Sequence, residues 1–275
     1  MPLVAACLSF NPSHRNSMPC PPVLFLVFNR PQKTRQVLEA IRQAQPPVLY
    51  VAADGPRPGK PAEAALCQEV RQVVAQGIDW PCTLHTCYRE ENLGCKHAVR
   101  EAISWFFAQE EAGIILEDDC LPVPGFFDYC AQALAKYAHH HRVMHIGGYN
   151  HGIGHPQHSC YFSQNAHVWG WASWRRAWQL YDGDMLTWPA FQETVDLASY
   201  FQDEQEARRR ARDWARCYRG EIDTWDFQWS YSLVKEGGLA LVPSQNLVAN
   251  IGHDGEATHT LVAQHTAPAL PDNAV

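Results

Sequence analysis

Short, largely apolar runs recur along the chain at 23–28, 48–53, 113–116, 142–146 and 239–242, each followed within a few residues by Gly, Pro or Asp. Runs of this length, bounded by turn residues, read as strands buried on both faces. Between them the apolar positions fall three or four apart. After Pro31, which suits a first helical turn, Val37, Leu38 and Ile41 share one face. A second helix places Leu66, Val70, Val73 and Val74 on one side, and a third carries Ala98, Val99, Ala102, Ile103, Phe106 and Phe107. Residues 82–88 read as a strand between these two. A helix over 125–137 turns Phe126, Phe127, Cys130, Leu134 and Tyr137 to the core. Strand and helix alternating at these intervals predict an α/β domain with a largely parallel sheet.

The second half has a different character. Residues 149–166 are polar and His-rich and read as loop. Trp171, Trp174 and Trp178 fall at helical spacing, a pattern that marks core. Gly170, between two Trp, predicts a close backbone approach. Residues 203–219 are charged and helical, Thr224 is placed to cap the next helix, and 246–260 read as a polar loop with His253, Asp254 and His259. Residues 1–20 read as a disordered leader, with Met18 the expected start, and 261–275 as a loose tail. The domain is expected to span 21–260, with a nucleotide-binding half over 21–145 and an acceptor-binding half over 146–260.

The strand ends carry the candidate chemistry. Ligands bind outside the carboxyl ends of parallel strands. Here those ends hold Asn29 and Arg30, then Asp54, then Asn92, then Glu117-Asp118-Asp119. Three adjacent carboxylates behind a buried strand repel one another, and a hard divalent cation shared with substrate phosphates is the natural counter-charge. The glycine-rich GxGxxG and GxxxxGK[ST] signatures are absent, so phosphates would be held by metal and side chains. Singly, each residue has an ordinary use: Asp54 in an Asp-Gly turn, Asp226 at a helix N-terminus, Lys96 and Arg100 on a solvated helix face.

The ordered set Phe28-Asn29-Arg30, Asp54-Gly55, Glu117-Asp118-Asp119, Gly170-Trp171, Trp225-Asp226 and a late His loop resembles GT-A fold glycosyltransferases, most nearly the N-acetylglucosaminyltransferase I type, over residues 22–260. The resemblance implies a metal-dependent enzyme that moves a sugar from a nucleotide-diphosphate donor, UDP-linked, to a hydroxyl of a glycan or glycolipid acceptor, with inversion. It implies Asp119 as ligand to Mn²⁺ or Mg²⁺, Asp118 on the ribose with Glu117 supporting, Asp54 on the nucleobase and Arg30 on a phosphate. Lys96 or Arg100 would neutralise the diphosphate, Gly170 and Trp171 would line the donor sugar, and His259 would close over the nucleotide. Asp226 would be the catalytic base, with Asp223 and Glu221 as alternatives. A non-catalytic binding protein and a sugar nucleotidyltransferase are the rival readings; the latter usually opens with a Gly-rich loop after the first strand, which Phe28-Asn29-Arg30-Pro31 is not. A part in surface-polysaccharide assembly would follow from the family class.

Composition narrows the alternatives. A formal charge of −7 argues against a dedicated nucleic-acid binder. Ten Cys without a CxxC pair argue against a zinc ribbon and for reduced thiols. No apolar run is long enough to span a bilayer. The expected location is the cytoplasm, with peripheral attachment at the inner membrane as a variant.

Overall fold

The computed structural model describes residues 18–152 and 158–252. The leader through residue 17, and with it the expected start at Met18 as a boundary, His253, Asp254, His259 and the tail lie outside or at the edge of the described residues. An eight-stranded sheet forms the centre, ordered β3-β2-β1-β4-β8-β6-β9-β7. Its strands are β1 (Val23–Val27), β2 (Val48–Ala53), β3 (Thr83–Tyr88), β4 (Ala112–Glu117), β6 (Val143–Gly147), β7 (Cys160–Ser163), β8 (Trp171–Trp174) and β9 (Leu239–Pro243). Six run the same way, while β7 and β8 run against them. A two-stranded ribbon joins β5 (Cys120–Pro122) to β10 (Val248–Asn250).

Alternation along β1 divides the core. Val23, Phe25 and Val27 face a cluster with α1 (Pro31–Ala44), α2 (Pro61–Gly77) and α4 (Gly125–Lys136). Leu24 and Leu26 face the other side, against α3 (Gly94–Gln109), α5 (Arg175–Trp178) and α9 (Asp226–Lys235). All five β1 residues are buried, as a central parallel strand covered on both faces requires. A third cluster links α6 (Trp188–Thr194), α7 (Leu197–Phe201) and α8 (Glu204–Tyr218) to α9 through Trp188, Trp214 and Tyr231. No helix among the described residues is long and apolar enough to cross a membrane, and none of the described cysteines is disulfide-bonded.

Several local expectations need correction. Trp171–Trp174 is a strand, and only Trp178 of the three is helical, though all three are core. The segment bridges β4 and β6, where aromatic side chains pack on both pleated faces, and this pairing overrides the helical spacing. Leu66 is 39% exposed. The buried ridge of α2 instead runs through Glu63, Cys67, Val70 and Val74, and Leu66 falls off its edge. β7 lies inside the expected 149–166 loop, a four-residue edge strand held by pairing with β9. Thr224 does not cap α9; Trp225 occupies that position without a side-chain cap, and the Thr224 hydroxyl donates to Asp226 Oδ1.

Candidate functional site

The chain steps outward from β1 to β2 and β3, then returns to place β4 on the other side of β1. This reversal opens a crevice beyond the carboxyl ends of β1 and β4, where doubly wound sheets bind ligands. A cavity of about 440 Å³ sits there. Arg30 enters from β1, Asp54 and Arg57 from β2, Arg89 and Asn92 from β3, and the acidic triplet from β4. Trp169, Asp223, Thr224, Trp225, Asp226, Asn250 and Gly252 complete the wall from the second half.

Arg30 bridges the triplet, with one guanidinium nitrogen 2.6 Å from Asp118 Oδ1 and the other 2.9 Å from Asp119 Oδ2. Asp118 is only 2% exposed, and its Oδ2 is buried without a hydrogen-bond partner among the described residues. Burial raises the Asp118 carboxyl to about 6 against the opposing pull of Arg30. Glu117 is raised by burial and then by the charges of Asp119, Asp118 and Asp226. The ribbon lays the late chain over this corner: Ile251 N–H donates to the Asp119 carbonyl at 2.8 Å, and a Cβ at Gly252 would come within 2.4 Å of Asp119 Oδ2.

Among the described residues six carboxylates line the cavity against three guanidiniums. Arg57 and Arg89 are already paired with Glu63 and Glu101, which leaves Arg30, among the described residues, as the guanidinium bonded directly to the cavity's own carboxylates. Among the described residues no group of three or more His, Cys, Asp or Glu is arranged to hold a metal by itself. A cation of the Mg²⁺ type, however, needs only one or two carboxylates when phosphates supply the rest. The excess of carboxylates over guanidiniums in the cavity, with Asp119 among them, fits that partial donor set.

Other expected residues are placed differently. Asp54 is half-buried and fully occupied: Oδ1 accepts from Gly55 N–H and Leu93 N–H, and Oδ2 from Asn92 Nδ2, Leu93 N–H and Gly94 N–H. It pins the turn into α3 onto β2, an approach so close that a Cβ at Gly55 would lie 2.5 Å from Glu91 backbone. Lys96 and Arg100 do not line the cavity and pair with Asp184, at 3.8 and 3.1 Å. On α3 the cavity stripe is Cys95, Ala98, Val99 and Ala102, at i, i+3, i+4 and i+7, and the two cations lie round the helix from it.

Of the candidate bases, Asp223 and Asp226 line the cavity, and Glu221 pairs on the surface with Arg216 and Arg219. Asp223 Oδ1 accepts from Lys96 N–H at the start of α3. Asp226 opens α9 and is braced by Thr224. Trp171 is fully buried, stacked 5.7 Å from Trp225 and 5.1 Å from His145, so it supports the wall from behind. Among the described residues, Trp169 and Trp225 are the Trp residues that line the cavity. Gly170 between them has φ +62°, and a Cβ there would meet Val248 at 2.7 Å. Spacing marks Trp171 as core, and it is; its place beside the donor sugar is what the resemblance implies, and the buried side chain lies behind the cavity wall.

No protein-family model matches the sequence, and no curated protein matches it significantly. Among solved structures, it is similar to a UDP-glucose pyrophosphorylase complexed with UDP-glucose, at 8% identity and TM-score 0.41, over 81% of this chain and 89% of that one. It is also similar to HddC from Yersinia pseudotuberculosis, at 8% identity and TM-score 0.30, over 46% of this chain and 56% of that one. Likenesses this distant do not bear on function. What strand order and cavity define is an α/β protein with an anionic crevice at its topological switch point.

Proposed function

We propose that this protein is a GT-A-like, metal-dependent glycosyltransferase that moves a sugar from a UDP-type donor to a hydroxyl acceptor with inversion. The observation that supports it most is the pairing of two acidic stations in one cavity. The Arg30-braced triplet enters from β4, and Asp226 enters separately from α9. In-line displacement at an anomeric carbon needs a carboxylate to take the acceptor proton and a counter-charge for the departing diphosphate. Asp226 would supply the first. Asp119 would hold Mn²⁺ or Mg²⁺, which when bound would offset the diphosphate charge. The unpartnered Asp118 Oδ2 would accept a ribose hydroxyl, and Arg30 would keep Asp118 and Asp119 in register.

Calorimetric titration of UDP with and without Mn²⁺, followed by a turnover screen with a panel of UDP-sugars, tests this reading. Asp119→Ala should lose the Mn²⁺-dependent part of UDP binding. Asp226→Asn should bind UDP as the wild type does and release no sugar. Unchanged Mn²⁺-dependent binding in Asp119→Ala would refute the metal assignment. Binding without turnover in the wild type would make the chain a non-catalytic binder, and exchange of diphosphate into the donor would make it a nucleotidyltransferase.

A further inference from the structure

The expected reader of the nucleobase has no capacity left. An ionised carboxylate offers about four lone-pair sites, and Asp54 already accepts five contacts from neighbouring backbone and Asn92. Arg30 is likewise committed to the triplet. Three residues beyond Asp54, on the same turn, stands Arg57, which also lines the cavity.

Arg57 is held by a built anchor. Glu63 sits in the first turn of α2, 6% exposed, although nothing apolar about it favours burial. It accepts from Arg57 backbone N–H at 2.7 Å, from Arg57 Nε at 3.0 Å, from Arg57 Nη2, and from Asn29 Nδ2 at 3.0 Å. The Arg57 bonds hold the Glu63 carboxyl down to about 2. On its other side the guanidinium carbon lies 5.8 Å from the centroid of the Phe28 ring, which lines the cavity too. Nε and Nη2 are spent, Nη1 makes no hydrogen bond to a described residue, and the side chain keeps 40% of its surface open. The resulting ledge is a flat aromatic ring beside a directed N–H donor whose charge Glu63 has cancelled. An ionised donor of fixed direction whose charge a neighbour already balances suits an uncharged carbonyl oxygen better than a phosphate, whose charge needs a net cation.

We infer that Arg57, oriented by Glu63 over Phe28, determines base specificity by donating Nη1–H to an exocyclic carbonyl of the donor's base, so that the site takes a uracil-type, oxo-bearing nucleotide. This rests on the nucleotide-sugar reading above. Arg89 is not set in this way, because its partner Glu101 is 46% exposed and such a pair holds a side chain weakly. Glu63 acts as a positioning residue, and Asn29 ties it back to the end of β1.

The test is calorimetry on the full chain with Mn²⁺ and three probes: UDP, ADP, which has no exocyclic carbonyl, and inorganic diphosphate. Arg57→Met keeps the aliphatic stem and should weaken UDP roughly ten- to hundredfold, the worth of one hydrogen bond from a charged group. ADP and diphosphate should stay within about twofold, the expected scatter for a contact they do not make. Arg57→Lys should not restore UDP, since an ammonium cannot hold the forked contact with Glu63. Glu63→Gln should erode the preference for UDP over ADP in the same direction. Equal losses for all three probes, rescue by Lys, or UDP binding unchanged in Arg57→Met would overturn the inference while leaving the nucleotide reading standing. A wild type that binds none of the three would overturn both.

Discussion

Replacing Arg30 with Met removes the guanidinium that bridges two carboxylates of the triplet while keeping most of its stem volume. The side chain is 19% exposed, and its partners are 3% and 17% exposed, so water can solvate the orphaned carboxylates only in part. At an effective dielectric of about 20, each close pair is worth ~4 kcal/mol of Coulomb energy. Most of that offsets the desolvation already incurred, and removing one partner of a buried pair costs about 3–5 kcal/mol because the other charge stays behind. Arg30 is not fully buried, so the lower end, about 3 kcal/mol, is expected. For a domain of this size that corresponds to a melting temperature lower by about 6–12 °C. Urea denaturation of wild type and variant, with and without millimolar Mg²⁺, reads the effect. The cation should recover part of the loss in the variant, because it supplies the missing counter-charge at the same carboxylates. A loss below about 1 kcal/mol, the worth of an exposed pair, would refute the argument that Arg30 carries the charge balance of this corner.

Two further outcomes follow from buried groups. Gly170→Ala should destabilise by about 1–3 kcal/mol, the cost of a strained backbone position. It combines φ +62° with a Cβ 2.7 Å from Val248, and a thermal melt equal to wild type would show that β10 can yield. His145 is fully buried and neutral: Nδ1 accepts from Trp229 Nε1–H, and Nε2–H donates to the His167 carbonyl. Burial lowers it from 6.5 to about 4. The unfolded chain therefore binds a proton that the folded one refuses, so stability is lost as pH falls from 6.5 and the loss levels off below 4. It should reach about 3 kcal/mol near pH 4, read as the part of the acid-denaturation slope that disappears in His145→Gln. Identical slopes in the two proteins would place the acid sensitivity elsewhere.

Elements whose burial is two-sided or strictly periodic were legible from the chain alone. β1, β2 and β4 are continuous apolar runs, which in an alternating strand-helix chain can only be central parallel strands. Their ends then had to gather Arg30, Asp54 and Glu117-Asp118-Asp119 near one crevice, because all three strands share a direction. The charge conflict in the triplet was legible for the same reason: like charges at a strand end repel wherever the strand is placed.

What the tertiary structure decided was how each polar group is spent. A sequence shows that Asp54 is acidic, not that three donors of the turn into α3 converge on it together with Gly55 N–H. It shows Lys96 and Arg100 four apart, not that α3 turns Cys95 and Val99 to the cavity and those cations to Asp184. It shows Trp169 and Trp171 on either side of a Gly, not that Trp169 lines the cavity while Trp171 is buried in a strand paired with β4 and β6. Burial along a strand or helix follows from periodic, local geometry, which a sequence carries. The partner of a carboxylate is set by long-range proximity, where Asn29 meets Glu63 across 34 positions and Arg30 meets Asp119 across 89, and only the folded chain fixes it.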